Sequence, residues 1–112
     1  MLHSVVETKS FIADAADAGM SDDERAAVVD MLAADPETGD IMKGCGGARK
    51  VRVKKPGGGK SGGYRVITYY GGGDIPLFLI TVFGKNEKVS LTKSEQNELS
   101  DLCKILKSNY KK

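Results

Sequence analysis

The chain has 112 residues and a formal net charge of +2, which fits one domain, residues 1–112, with a hydrophobic core that needs no staple. Two cysteines, Cys45 and Cys103, make neither a disulfide framework nor a zinc pattern, and no run approaches the ~20 apolar residues that span a bilayer. The start, MLHSVVETKSF, lacks the basic head and apolar run of a signal peptide, so the expectation is a cytoplasmic, reduced protein with no membrane partner, metal or cofactor. The small net charge hides an asymmetry. Residues 1–40 carry ten acidic and two basic side chains, whereas residues 41–112 carry five acidic and fifteen basic ones. A basic stretch of that kind is the electrostatic footprint of a nucleic-acid binder.

In chain order, residues 3–7 (HSVVE) predict a short strand, with the only histidine, His3, at the surface or at the strand end. Residues 8–18 predict an alanine-rich helix with Phe11, Ile12 and Ala15 on one face and Gly19 as its stop. Ser21-Asp22-Asp23-Glu24 is a capping box at the head of a second helix, whose stripe is Val28, Met31 and Leu32 and whose end is Asp35-Pro36. Residues 37–47 read as a connection. Ala48–Val53 then predicts a strand with Val51 and Val53 facing the helices and Lys50, Arg52 and Lys54 on the other, open face.

Pro56–Gly63 predicts a loop, and Tyr64–Tyr70 a strand with Arg65, Ile67 and Tyr69 on one face and Tyr64, Val66, Thr68 and Tyr70 on the other. Leu77–Phe83 is apolar throughout, as in a central strand covered on both faces. Thr92-Lys93-Ser94-Glu95 is a second capping box, followed by Leu99, Leu102, Cys103 and Leu106 at helical spacing. Cys103 is therefore expected in the core, Cys45 in a glycine-rich connection open to solvent, and Asn109–Lys112 as a frayed basic tail.

From Lys43 to Arg65 there are eight basic residues and no acidic one. A single-signed cluster on a hairpin repels itself unless a polyanion neutralises it. The alternative is a solvated edge whose lysines prevent sheet-to-sheet association. Gly57-x-Gly59-x-x-Gly62 matches a dinucleotide fingerprint as a string, but it leads into a strand where the fingerprint must open a helix. Gly59-Lys60-Ser61 fails as a phosphate loop for the same reason.

Three segments carry a family resemblance: Gly46-Gly47-Ala48-Arg49-Lys50-Val51-Arg52, Gly59-Lys60-Ser61-Gly62-Gly63-Tyr64-Arg65-Val66-Ile67 and Phe83-Gly84-Lys85-Asn86-Glu87. With Asp35-Pro36-x-x-Gly39-Asp40 ahead of them and the helix Leu91–Leu106 behind, the chain resembles the RelE/HigB toxins of bacterial type II toxin–antitoxin systems, most closely the HigB-type branch. The resemblance implies a small α+β domain, in the order β-α-α-β-β-β. Two N-terminal helices would pack on a twisted, mainly antiparallel four-stranded sheet, with a C-terminal helix. It also implies an endoribonuclease that cuts mRNA in the ribosomal A site and is neutralised by a cognate antitoxin, a short acidic or helix-turn-helix protein.

The RelE-type catalytic cations map onto Lys50, Arg52, Arg65 and Lys85, with Lys50 as candidate base and Arg65 as the phosphate clamp. Arg49, Lys54, Lys55 and Lys60 would bind flanking RNA. Two departures stand out: Asn86 replaces an arginine, and residues 88–92 offer no tyrosine, for which Tyr64, Tyr69 or Tyr70 could substitute. A gyrase poison of the ParE branch and a non-catalytic RNA-binding module remain competing functions.

Overall fold

The computed structural model describes residues 2–54, 63–84 and 91–110. The chain runs β1 (Val5–Glu7), α1 (Lys9–Asp17), α2 (Asp22–Ala34), β2 (Asp40–Ile41), β3 (Ala48–Val53), β4 (Tyr64–Tyr69), β5 (Leu77–Gly84) and α3 (Lys93–Tyr110). The strands form one sheet in the order β1-β5-β4-β3-β2. β1 pairs with β5 in parallel, and every other neighbouring pair is antiparallel. The expected α+β architecture is present, with a five-stranded sheet instead of four. The additional strand, β2, lies in the segment expected to be a plain connection. Two residues suffice to pair Asp40 with Lys50 and Ile41 with Arg49, too short a run for periodicity to reveal.

The helix starts follow the local chemistry. Thr8 caps α1 by accepting from the Phe11 amide at 3.1 Å, and its hydroxyl donates to the Leu79 carbonyl at 2.7 Å, tying the helix start to β5. At α2 the capping box closes in both directions, Glu24 N–H to Ser21 Oγ at 3.1 Å and Ser21 N–H to Glu24 Oε1 at 2.8 Å. Arg25 then joins α2 to β1 through Glu7 at 2.7 Å. At α3 the expected box is also formed, by Thr92 and Glu95, and the helix continues through Tyr110, so Asn109 and Tyr110 belong to it and not to a frayed tail.

The sheet separates two cores. On one face α1 and α2 bury Phe11, Ala15, Val28 and Leu32 against Val51, Val66, Leu77 and Leu79. On the other, α3 buries Leu99 and Cys103 against Ala48, Ile67, Tyr69, Phe78 and Ile80. β5 serves both cores, which explains its unbroken apolar run. Its partner in β4 shifts from Ile67↔Thr81 to Thr68↔Leu79, which leaves Ile80 unpaired in the ladder as a bulge. Two residues of the expected helix stripes, Ile12 and Met31, are 41% and 39% exposed: each lies at the margin of its helix's buried face.

Cys45 is 1% exposed, against the expectation for a glycine-rich connection. The loop folds under α3 and carries the thiol into the second core beside Cys103. Burial first, and the neighbouring Cys45 second, push the Cys103 thiol from 9.0 up to about 11. A group with a raised folded pKa stabilises fully below its unfolded value and loses that contribution as pH rises through the folded one. Between pH 9.0 and about 11 the fold should therefore weaken by ~2 kcal/mol from this thiol. The buried Tyr64 and Tyr69 hydroxyls and Cys45, all shifted upward by burial, add to the same trend. Urea titrations across that range test this, and Cys103→Ala should flatten the slope.

Thr68 is wholly buried beside the bulge, and its Oγ1 has no hydrogen-bond partner among the described residues. An unsatisfied buried hydroxyl costs ~1–3 kcal/mol. Thr68→Val keeps the shape and removes that cost, so the denaturation midpoint should rise by the equivalent of about 1 kcal/mol.

A candidate anion-binding site at the sheet end

Alternation along β3 and β4 puts Lys50, Arg52 and Arg65 on the α3 side of the sheet, as the sequence predicts. That face is not open along its whole length. α3 packs on the end that carries Ala48, Ile67 and Tyr69, and not on the end near the β3–β4 hairpin. There Arg52 is directly opposite Arg65, Lys50 is opposite Ile67, and Arg65 is flanked on its other side by Phe83. Arg52 is exposed, whereas Lys50, Arg65 and Phe83 are half-buried. Like charges directly opposite across a ladder are destabilising. None of the three cations has a carboxylate partner among the described residues; the ion pairs there join Arg25 to Glu7 and to Asp22.

The remaining predicted cations divide. Arg49 is on the opposite face, where its Nη1 donates to the Glu37 and Gly39 carbonyls at 3.0 and 3.3 Å, so its guanidinium braces the turn before β2. Lys54 follows the last residue of β3, where alternation lapses, and it borders a groove beside α2 with Ala27, Met31 and Tyr64. Neither joins the Arg52–Arg65 pair. Lys55, Lys60, Lys85 and Asn86, and residues 88–90, lie outside the described residues. Gly84, which precedes Lys85, pairs with Tyr64 at the cationic end.

None of the candidate tyrosines joins these cations. Tyr64 is buried on the α1/α2 face, within 3.4 Å of the Gly19 carbonyl and the Glu24 carboxylate. Burial and that carboxylate together raise its hydroxyl pKa. Tyr69 is in the α3 core. Tyr70 donates to the Gly73 carbonyl at 3.2 Å, with its ring edge-on to His3. His3 itself is half-buried, its Nε2 2.8 Å from the Ile75 carbonyl.

Two clefts flank Phe83 and Leu91. One, of about 220 Å³, is lined by Lys43, Cys45, Lys50, Phe83, Leu91 and Gln96. The other, of about 410 Å³, carries Asp14, Asp17 and Glu95. Lysines thus border one cleft and carboxylates the other. Sequence reasoning did not single out Phe83 or Gln96, which line the smaller cleft beside Lys50. Phe83 reads as one more apolar strand residue, and Gln96 as a polar residue on a helix surface.

A mixed sheet backed on one face by two helices and half covered on the other by a third, with Lys50, Arg52 and Arg65 together beyond that cover, defines a small α+β protein. The sequence matches, over residues 4–112, the family model of the RelE toxin of the RelE/RelB toxin–antitoxin system. The chain belongs to the RelE toxin family. No helix among the described residues is long and apolar enough to cross a membrane.

Proposed function

We propose that residues 1–112 form one toxin domain of the HigB-type branch, an endoribonuclease that cuts mRNA in the ribosomal A site and so stops translation in the cytoplasm until a cognate antitoxin neutralises it. The observation that carries this reading is the Arg52–Arg65 cross-strand pair with Lys50 on the same face and, among the described residues, no carboxylate to offset them. A solvated edge needs no such pairing of arginines inside the ladder.

RNA supplies its own nucleophile, the ribose 2′-OH. Its oxygen attacks the adjacent phosphorus, the bond to the 5′-oxygen breaks, and the products are a 2′,3′-cyclic phosphate and a 5′-hydroxyl. Two protons move, one from the 2′-OH and one to the leaving 5′-oxygen. Arg65, set inside the ladder and half-buried, is suited to clamp the scissile phosphate through two parallel N–H bonds. Arg52 shares the charge that grows on the phosphorane-like transition state. Lys50 is assigned the 2′-OH proton and Lys85 the leaving oxygen. Asn86, and the lack of a tyrosine over 88–92, depart from RelE and are tolerated in the HigB-type branch.

Mapping RNA 5′ ends in cells that produce the chain tests the proposal. New ends inside translated codons are expected. Gyrase-linked DNA breaks with intact messages would identify a ParE-like poison instead, and RNA binding without new ends a non-catalytic module.

A further inference from the structure

The 220 Å³ cleft has no role in the chemistry above. It adjoins the cationic end, because Lys50 lines it together with Phe83, the ladder partner of Arg65. One wall is the half-buried ring of Phe83, and Leu91 supplies a second apolar surface. Gln96, in the first turns of α3, completes it. Its Nε2 donates to the Leu91 carbonyl at 3.3 Å. That bond fixes the amide orientation, since the reverse would bring two carbonyl oxygens together. The Gln96 Oε1 is therefore presented as an acceptor, and it has no donor among the described residues. Gly44 preserves the space beside it: a Cβ there would stand 3.3 Å from that oxygen.

We propose that this cleft is a nucleobase subsite, in which Phe83 stacks on the base next to the scissile linkage and Gln96 Oε1 accepts from its exocyclic amino group. It rests on the reading of the adjoining cations as a phosphate-binding centre, and adds a selection that they cannot make. An aromatic ring beside a cationic groove is the usual platform for a single-stranded base. Stacking accepts any base, whereas an oriented acceptor rejects one that lacks the donor. Uracil has a keto oxygen where cytosine has its amino group, and would set oxygen against oxygen. Lys43 and Lys50 on the rim favour the attached phosphate. The carboxylates of Asp14 and Asp17 on the far flank of Phe83 disfavour the reverse orientation.

The test is an NMR titration of the chain with CMP and, separately, UMP, a pair that differs only at that edge of the base. Phe83 ring and Leu91 methyl resonances should shift with CMP, and UMP should bind at least ~5-fold more weakly. Gln96→Leu should reduce that preference to less than ~2-fold, and Phe83→Ala should weaken both nucleotides by about tenfold. Equal affinities in the wild type, a preference that survives Gln96→Leu, or no shift of cleft resonances at millimolar nucleotide would each overturn the subsite. Nucleotide binding with the predicted preference but no RNA cleavage in cells would instead overturn the nuclease reading and leave the subsite standing.

Discussion

Arg65→Ala should lower mRNA cleavage by roughly 10²–10³-fold, the loss seen when one preorganised donor to a transition-state oxyanion is removed. Arg65 is the second residue of a six-residue strand, its backbone paired with Arg52 on one side and Phe83 on the other. It is therefore held in place before RNA arrives, and little ordering cost falls on the reaction. Stability should move the other way. Removing one of two opposed guanidiniums relieves repulsion across the ladder, so the denaturation midpoint of Arg65→Ala should equal or slightly exceed that of the wild type. Primer extension on a translated message gives the first quantity and a urea titration the second. Cleavage within a few-fold of wild type would dismiss Arg65 as the clamp. A large loss of stability would show that its role is structural.

Gly46→Ala should destabilise the fold by ~2–4 kcal/mol, and lower Tm by at least ~10 °C. Gly46 has φ +70, and a Cβ there would stand 2.9 Å from Ser100 Cα and Oγ and 3.0 Å from the Ser100 carbonyl oxygen. Two of those atoms are backbone and cannot swing aside, so α3 would have to lift from the loop before β3. The same displacement would move Leu91 and Gln96 away from the sheet and open the cleft beside Phe83. Gly72→Ala separates strain from collision: its φ is +91, but nothing stands within 4 Å of the added carbon, so only the conformational penalty of about 1 kcal/mol is expected. Equal losses for the two variants would mean that α3 does not seat tightly on this loop.

Much of the fold was legible residue by residue. The capping boxes at Ser21 and Thr92, the stop at Asp35-Pro36, the alternation that sorts Lys50, Arg52 and Arg65 from Val51 and Tyr64, and the doubly buried run of β5 are all local. Each depends on backbone geometry and on neighbours within a few positions, and a sequence displays those directly. The resemblance to RelE/HigB toxins rested on the same hairpin, and the family match over residues 4–112 agrees with it at the level of the RelE family.

What the local pattern could not contain is cover. Alternation says that Lys50, Ile67 and Tyr69 share a side with Arg65, but not that α3 would bury the part of it near Tyr69 and leave the part near Arg65 bare. That division depends on where a helix from the far end of the chain comes to rest, and it rests where Gly44 and Gly46 let the loop before β3 lie against its Gln96 and Ser100. The same packing took Cys45 into the core, while the turn before β2 engaged Arg49 on the opposite face. Chain chemistry thus determined which side chains carry positive charge and which way the strands turn them. Long-range packing, which trades apolar area against backbone collision, decided which of those charges meet at an uncovered edge.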